Sequence, residues 1–152
     1  MKTYVITLSH SFPRTHSKAG EPTHFPVLFR KKKIHTIRAN YLFWARRFEQ
    51  IEKGNACLSV RMWTGKPYRS QQHELAILTN ADGIGIERLD FYHDRDGNIL
   101  NFLTVGGAFP DIEDVAKNDG LTLEEWKEWF KNYNLDQPLA VIHFTNFRYG
   151  KK

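Results

Sequence analysis

Residues 29–38, FRKKKIHTIR, hold the residue types whose chemistry is most open. Five cations (Arg30, Lys31, Lys32, Lys33 and Arg38) fall within ten positions with no acid among them, yet Ile34, Thr36 and Ile37 interrupt the run. A purely solvated basic stretch has no use for isoleucines, so part of this segment is expected to enter the fold. Three roles are open to it: a charged surface, a phosphate-binding patch, or a site where a lysine amine acts on a threonine hydroxyl. A threonine is a weak nucleophile until a base takes its proton, and a lysine can serve as that base once burial lowers its pKa. In an ideal strand, residues 33 and 36 point to opposite sides. The third role therefore needs a bend, with Lys33 ending a turn and Thr36 beginning a strand.

A second stretch, RMWTGKPYRS (61–70), interleaves the cations Arg61, Lys66 and Arg69 with Trp63 and Tyr68. Aromatic platforms beside phosphate-binding cations are what a single-stranded nucleic acid or a nucleotide requires. The plainer alternative is a solvated hairpin tip with one tryptophan packed beneath it. Other motifs fail on spacing. DRDGN (94–98) has its glycine at the wrong offset for a calcium loop and reads as a hairpin turn. GIG (83–85) lacks the third glycine of a dinucleotide site, and TGKPYRS lacks the glycine that a phosphate-binding loop places ahead of its lysine. His10, His16 and His24 share one long loop but no helical ligand spacing, so no metal and no cofactor are expected. Cys57 is the single cysteine, which excludes an intrachain disulfide and fits a reducing compartment.

The elements that must position these residues are legible in part. KTYVITL (2–8) reads as a strand, and residues 9–26, with three prolines and three histidines, as a long loop. Tyr41, Trp44, Ala45, Phe48 and Ile51 mark one face of a helix over 41–52, with Asn40 as its N-cap and Gly54 as its stop. Strands are expected over 57–63, 74–80, 84–92, 99–105 and 139–147. In the first of these, Leu58, Val60 and Met62 take one face, and Cys57, Ser59, Arg61 and Trp63 the other. Thr122 and Glu125 form a capping box for a helix in which Leu121 and Trp126 make a hydrophobic staple. Six or seven strands with two or three helices and no regular βαβ alternation predict an α+β fold, compact and barrel-like.

At 152 residues the chain, 1–152, is expected to be one domain. The net charge of +5 is unevenly spread, since seven acids fall between Asp111 and Glu128, leaving the rest more basic than the sum suggests. That favours a polyanionic partner. The apolar run near residue 1 is too short for a signal peptide and no segment approaches a membrane span, so a cytoplasmic protein with no membrane partner is expected.

KKIHTIR, the glycine turn EKGN, and the distal NDGLTLEEWKEWF…LAVIHFTNF together resemble the ASCH domain, a relative of the PUA fold. The likeness is greatest to small bacterial amidohydrolases acting on N(4)-acetylcytidine, which share the Lys-x-x-Thr-x-Arg element and carry an acid just ahead of a Thr-Leu-x-Glu helix. The resemblance implies a PUA-like β-barrel with peripheral helices and a basic cleft between residues 30–38 and 119–126. Carried over by residue, it makes Lys33 the base, Thr36 the nucleophile and Asp119 the orienting carboxylate, where those enzymes have the longer glutamate. Two functions follow as expectations. The first is a module binding RNA or a modified nucleoside or nucleotide, with Lys33, Arg38, Arg61, Lys66 and Arg69 meeting phosphates or base edges and Trp63 and Tyr68 stacking. The alternative is an amidohydrolase that deacylates N(4)-acetylcytidine-like nucleosides. A protein-interaction domain is the third possibility.

Overall fold

The computed structural model describes residues 1–92 and 102–150. In chain order the elements are β1 (Lys2–Leu8), α1 (Phe25–Leu28), β2 (His35–Arg38), α2 (Tyr41–Glu52), β3 (Ala56–Trp63) and β4 (Gln72–Leu78). After a 3-10 turn at Asn80–Asp82 come β5 (Gly85–Tyr92), β6 (Phe102–Val105), α3 (Ile112–Asn118), α4 (Leu123–Phe130) and β7 (Leu139–His143). The strands form two sheets, one ordered β1-β3-β4 and the other β2-β7-β5-β6. β1 runs parallel to β3, whereas the four-stranded sheet is antiparallel throughout. The fold is therefore α+β. Among the described residues no strand pairs into both sheets, so the barrel expected from the sequence is here two open sheets.

Local chemistry explains the helices. The Asn40 side chain accepts from the Phe43 amide, α2 buries Trp44, Phe48 and Ile51, and Gly54 ends it at φ +78°. Both halves of the α4 capping box are made: Glu125 N donates to Thr122 Oγ1 at 3.2 Å, and Thr122 N donates to Glu125 Oε1 at 2.8 Å. Leu121 and Trp126 are buried. The acidic stretch 111–128 divides between two helix starts. Glu113 and Asp114 lie in the first turn of α3, and Glu124 and Glu125 in that of α4, where carboxylates offset the helix dipole.

All five residues of β7 are buried, because β2 and β5 flank it and apolar layers cover it. β3 is likewise buried on both faces over residues 56–60, so the expected alternation of exposure is lost. A register shift between Val60 and Arg61 re-aims its last residues. The expected strand 139–147 ends at His143, and of the expected strand 99–105 the structure describes Phe102–Val105. The turn at 94–98 lies outside the described residues.

The loop after β1 is pinned to α4. His16 Nε2 lies 3.0 Å from the Glu125 carbonyl, Lys18 Nζ donates to Glu125 Oε2 at 2.7 Å, and the Ser17 amide donates to Glu128 Oε2 at 2.8 Å. Among the described residues no helix is long and apolar enough to cross a membrane.

Candidate active site

Two backbone features bring Lys33 to Asp119 across 86 positions of sequence. Residues 30–33 form a tight turn closed by the Lys33 amide donating to Leu28 O, with Arg30 at φ +63°. Lys33 then makes an isolated antiparallel bridge to Asp119, and the Ile34 amide donates to Asn118 O at 2.9 Å. The bend between residues 33 and 36 thus exists: Lys33 ends the turn and Thr36 is the second residue of β2. Gly120 permits the close approach. Its φ is +81°, and a Cβ there would sit 3.1 Å from Lys33 Cβ.

Lys33 and Asp119 are 2% and 3% exposed. Lys33 Nζ donates to Asp119 Oδ1 at 2.9 Å and to the Asp119 carbonyl at 2.8 Å, while the Phe25 ring covers the nitrogen at 4.0 Å. Asp119 is the C-cap of α3, so the ammonium also meets the negative end of that helix. Burial pushes the Lys33 amine below its ordinary pKa; Asp119 opposes the shift without reversing it, and the Arg38 charge adds to it. Burial alone would raise the Asp119 carboxyl, but the Lys33 charge and then His35 outweigh it and hold the carboxyl below the usual range. The two effects oppose each other: the Lys33 charge holds the carboxyl low, while burial weakens the ammonium's hold on its proton. The aspartate, one methylene shorter than glutamate, reaches the amine directly.

Behind Asp119 stands a buried polar chain. His35, 0% exposed, has Nδ1 3.5 Å from Asp119 Oδ1, and its Nε2 lies 2.7 Å from the Tyr149 hydroxyl. Asn118 Nδ2 donates to that hydroxyl at 2.9 Å. Tyr149 accepts from Asn118, which leaves its own proton available to His35 Nε2, while His35 Nδ1 faces the carboxylate at 3.5 Å without making a hydrogen bond. Burial raises the Tyr149 hydroxyl far above its ordinary pKa, which keeps it a donor. Directly across from His35 in the β2–β7 register is His143, with the two rings 5.6 Å apart. His143 Nε2 bonds Glu87 Oε1 at 2.7 Å, and Glu87 also accepts from the Tyr149 and Gly150 amides, each at 2.8 Å. Burial drives His143 down to about 4. Burial opposes ionisation of Glu87, yet these hydrogen bonds bring it to about 2.

Lys33, Asp119, Thr36 and Arg38 all line one cavity of about 80 Å³, walled by Phe25, Leu121, Trp129, Phe130 and Tyr133. That space holds several waters or a small acyl group, and nothing as large as a nucleoside. Thr36 and Arg38 share one face of β2. Among the described residues the Thr36 hydroxyl has no hydrogen-bond partner in the protein. Arg38 Nη2 donates to Thr7 O at 2.7 Å. A second, open cleft of about 1030 Å³ shares Leu8, Ser9 and Arg38 with the first and extends past Arg14, Trp63, Lys66, Tyr68 and Arg69.

Two of the expected ligand contacts are corrected. Lys33 is too buried to meet a phosphate, and its donors are directed at Asp119. Arg61 lines neither cavity: beyond the register shift its guanidinium bonds Ser59 Oγ at 2.8 Å and Gln72 Oε1 at 3.2 Å and lies 3.8 Å from Glu74. The small cavity lies between the segments 33–38 and 119–121, and a second, more basic cleft lies between the loop after β1 and residues 63–69. His35, Asn118, Tyr149, His143 and Glu87 were not foreseen as site residues. His35 and His143 both stood inside recognisable strand patterns, but only the β2–β7 register shows that they face each other.

No protein family, characterised protein or solved structure matches this chain significantly.

Proposed function

We propose that this chain is a PUA-like protein of the ASCH type whose site hydrolyses the amide of an N(4)-acylated cytidine-type nucleoside. The observation that carries the reading is the buried Lys33–Asp119 pair sharing a small cavity with an unengaged threonine hydroxyl. A purely phosphate-binding lysine is better served by an exposed, fully charged position.

The residues account for the step. Neutral Lys33 takes the Thr36 proton as Thr36 Oγ1 bonds to the acyl carbon, and the carbonyl oxygen becomes an oxyanion facing the Arg38 side of the cavity. The C–N bond then breaks. The Lys33 ammonium returns its proton to the leaving exocyclic nitrogen, which gives the free amine and a threonine ester. A water deprotonated by Lys33 attacks that ester, releasing the carboxylic acid and restoring Thr36. Asp119 remains an anion throughout and fixes the amine by two hydrogen bonds.

The test is a panel of acylated cytidines and related nucleosides incubated with wild type and with Thr36→Val, which keeps the shape and removes the hydroxyl. Wild type should release free nucleoside, and Thr36→Val should lose at least about a hundredfold in kcat with unchanged thermal unfolding. A wild type inert on every member, or a valine variant as active as wild type, would falsify the assignment.

A further inference from the structure

We infer that the open cleft beside the active site binds a nucleotide phosphate, so that an acylated nucleotide is bound more tightly than the free nucleoside. That the base is acylated rests on the proposed deacylation, but the binding claim stands on the cleft alone. Arg14, Lys66 and Arg69 line it, with Arg38 at its junction with the small cavity, and no carboxylate lines it. Among the described residues none of Arg14, Lys66 and Arg69 has an ion-pair partner. Some cations elsewhere on the surface are neutralised, Lys18 by Glu125, Arg88 by Asp90 and Arg61 by Glu74; others among the described residues, such as Lys31 and Lys32, are unpaired too but line neither cavity. A concave surface that gathers unpaired cations concentrates an anion.

The hairpin between β3 and β4 supplies the second observation. It is held in shape by Gly65 N donating to Ser70 Oγ at 3.0 Å and by Ser70 Oγ donating to Lys66 O at 2.8 Å. Within it Tyr68 sits at φ +64°, a strained backbone for a tyrosine, with 89% of its surface exposed and its ring 5.1 Å from that of Trp63. Pro67 and the Arg69 amide donating to Lys66 O at 3.1 Å close a β-turn that holds Tyr68 in that conformation. It presents an aromatic pair at the mouth of a basic cleft, as stacking on a base requires. The cleft is of a size that takes a whole nucleotide, whereas the small cavity takes only the acyl end. A mononucleotide and a short RNA strand both offer anionic phosphate oxygens to these cations, and the titration below separates the two.

The experiment reads binding without turnover. Thr36→Val protein is titrated calorimetrically with cytidine, cytidine 5′-monophosphate and a short oligocytidylate, at low and at high salt. At low salt at least one phosphate-bearing ligand should bind about tenfold more tightly than cytidine, and the gain should shrink as salt screens it. The triple change Arg14→Ala, Lys66→Ala, Arg69→Ala should cut the gain to within about twofold, leaving cytidine affinity and thermal unfolding unchanged. A gain already present with the monophosphate assigns the source as a mononucleotide; a gain confined to the oligomer assigns it to a strand. No gain from phosphate in either ligand, or a gain that survives the triple change, overturns the inference. Failure of wild type to deacylate anything would end the hydrolase reading while leaving this titration decisive.

Discussion

A lysine and an aspartate removed from water together lose hydration that their mutual attraction only partly restores, so the Lys33–Asp119 pair is poor value as a stabiliser. Its arrangement makes sense under the proposed chemistry, because the burial that penalises the ammonium favours the neutral amine that the proposed mechanism uses. Removing one partner should therefore be costly. Lys33→Met leaves the carboxylate buried beside His35 alone and should lower unfolding free energy by about 3–5 kcal/mol, measured by urea denaturation. Lys33→Met combined with Asp119→Leu should recover most of that loss, because no charge is then stranded. If the single and double variants were equally unstable, the pair would be packing rather than charge. The sequence made Lys33, Thr36 and Asp119 candidates through their motif. It could not show that Lys33, one of three consecutive lysines, is among the largest fully buried side chains while Lys31 and Lys32 remain outside. Nothing in the local run distinguishes the three; the bridge to Asp119 does.

At the scale of elements, the C-terminal segment is tied to the four-stranded sheet by Glu87 on β5, which accepts from the Tyr149 and Gly150 amides and forms a titratable pair with His143 on β7. The folded His143 pKa of about 4 lies below the ordinary 6.5, so between those values the unfolded chain binds a proton that the folded chain refuses. Stability is full above pH 6.5 and falls on acidification toward 4. Glu87, lowered from 4.5 to about 2, adds a second loss below 4.5, and the two titrate as a pair. Urea unfolding at pH 7 and pH 5 should differ by about 2 kcal/mol from His143, and His143→Gln should remove that increment. A pH-independent wild type over this range would contradict the pairing. Elements set by local rules were legible: Asn40 and the Thr122–Glu125 box fixed α2 and α4. The single turn α1 was absorbed into the long loop, and α3 lay inside what reads as an acidic surface run. The His35–His143 contact depends on strand register, which no local pattern carries.

For the whole molecule, the sheets divide the labour. The four-stranded sheet supplies Thr36 and Arg38 from its edge strand β2, and the three-stranded sheet supplies Thr7 and Trp63, so the two cavities meet where Arg38 bonds the Thr7 carbonyl. The charge asymmetry seen in the sequence takes a definite form: acids start α3 and α4, while Arg14, Lys66 and Arg69 gather in a cleft that no carboxylate lines. The α+β class followed from element order, but the sheet boundaries did not, because the parallel β1–β3 pairing joins segments far apart in the chain. The central claim is that Thr36 attacks an acyl group with Lys33 as its base. Rapid-quench mixing with N(4)-acetylcytidine, reading nucleoside release and protein mass together, tests it most directly. The account predicts release of cytidine with a transient acetyl adduct on the peptide containing Thr36, and neither signal in Thr36→Val. Wild-type protein that releases no cytidine and carries no adduct, even in excess over the nucleoside, would contradict it.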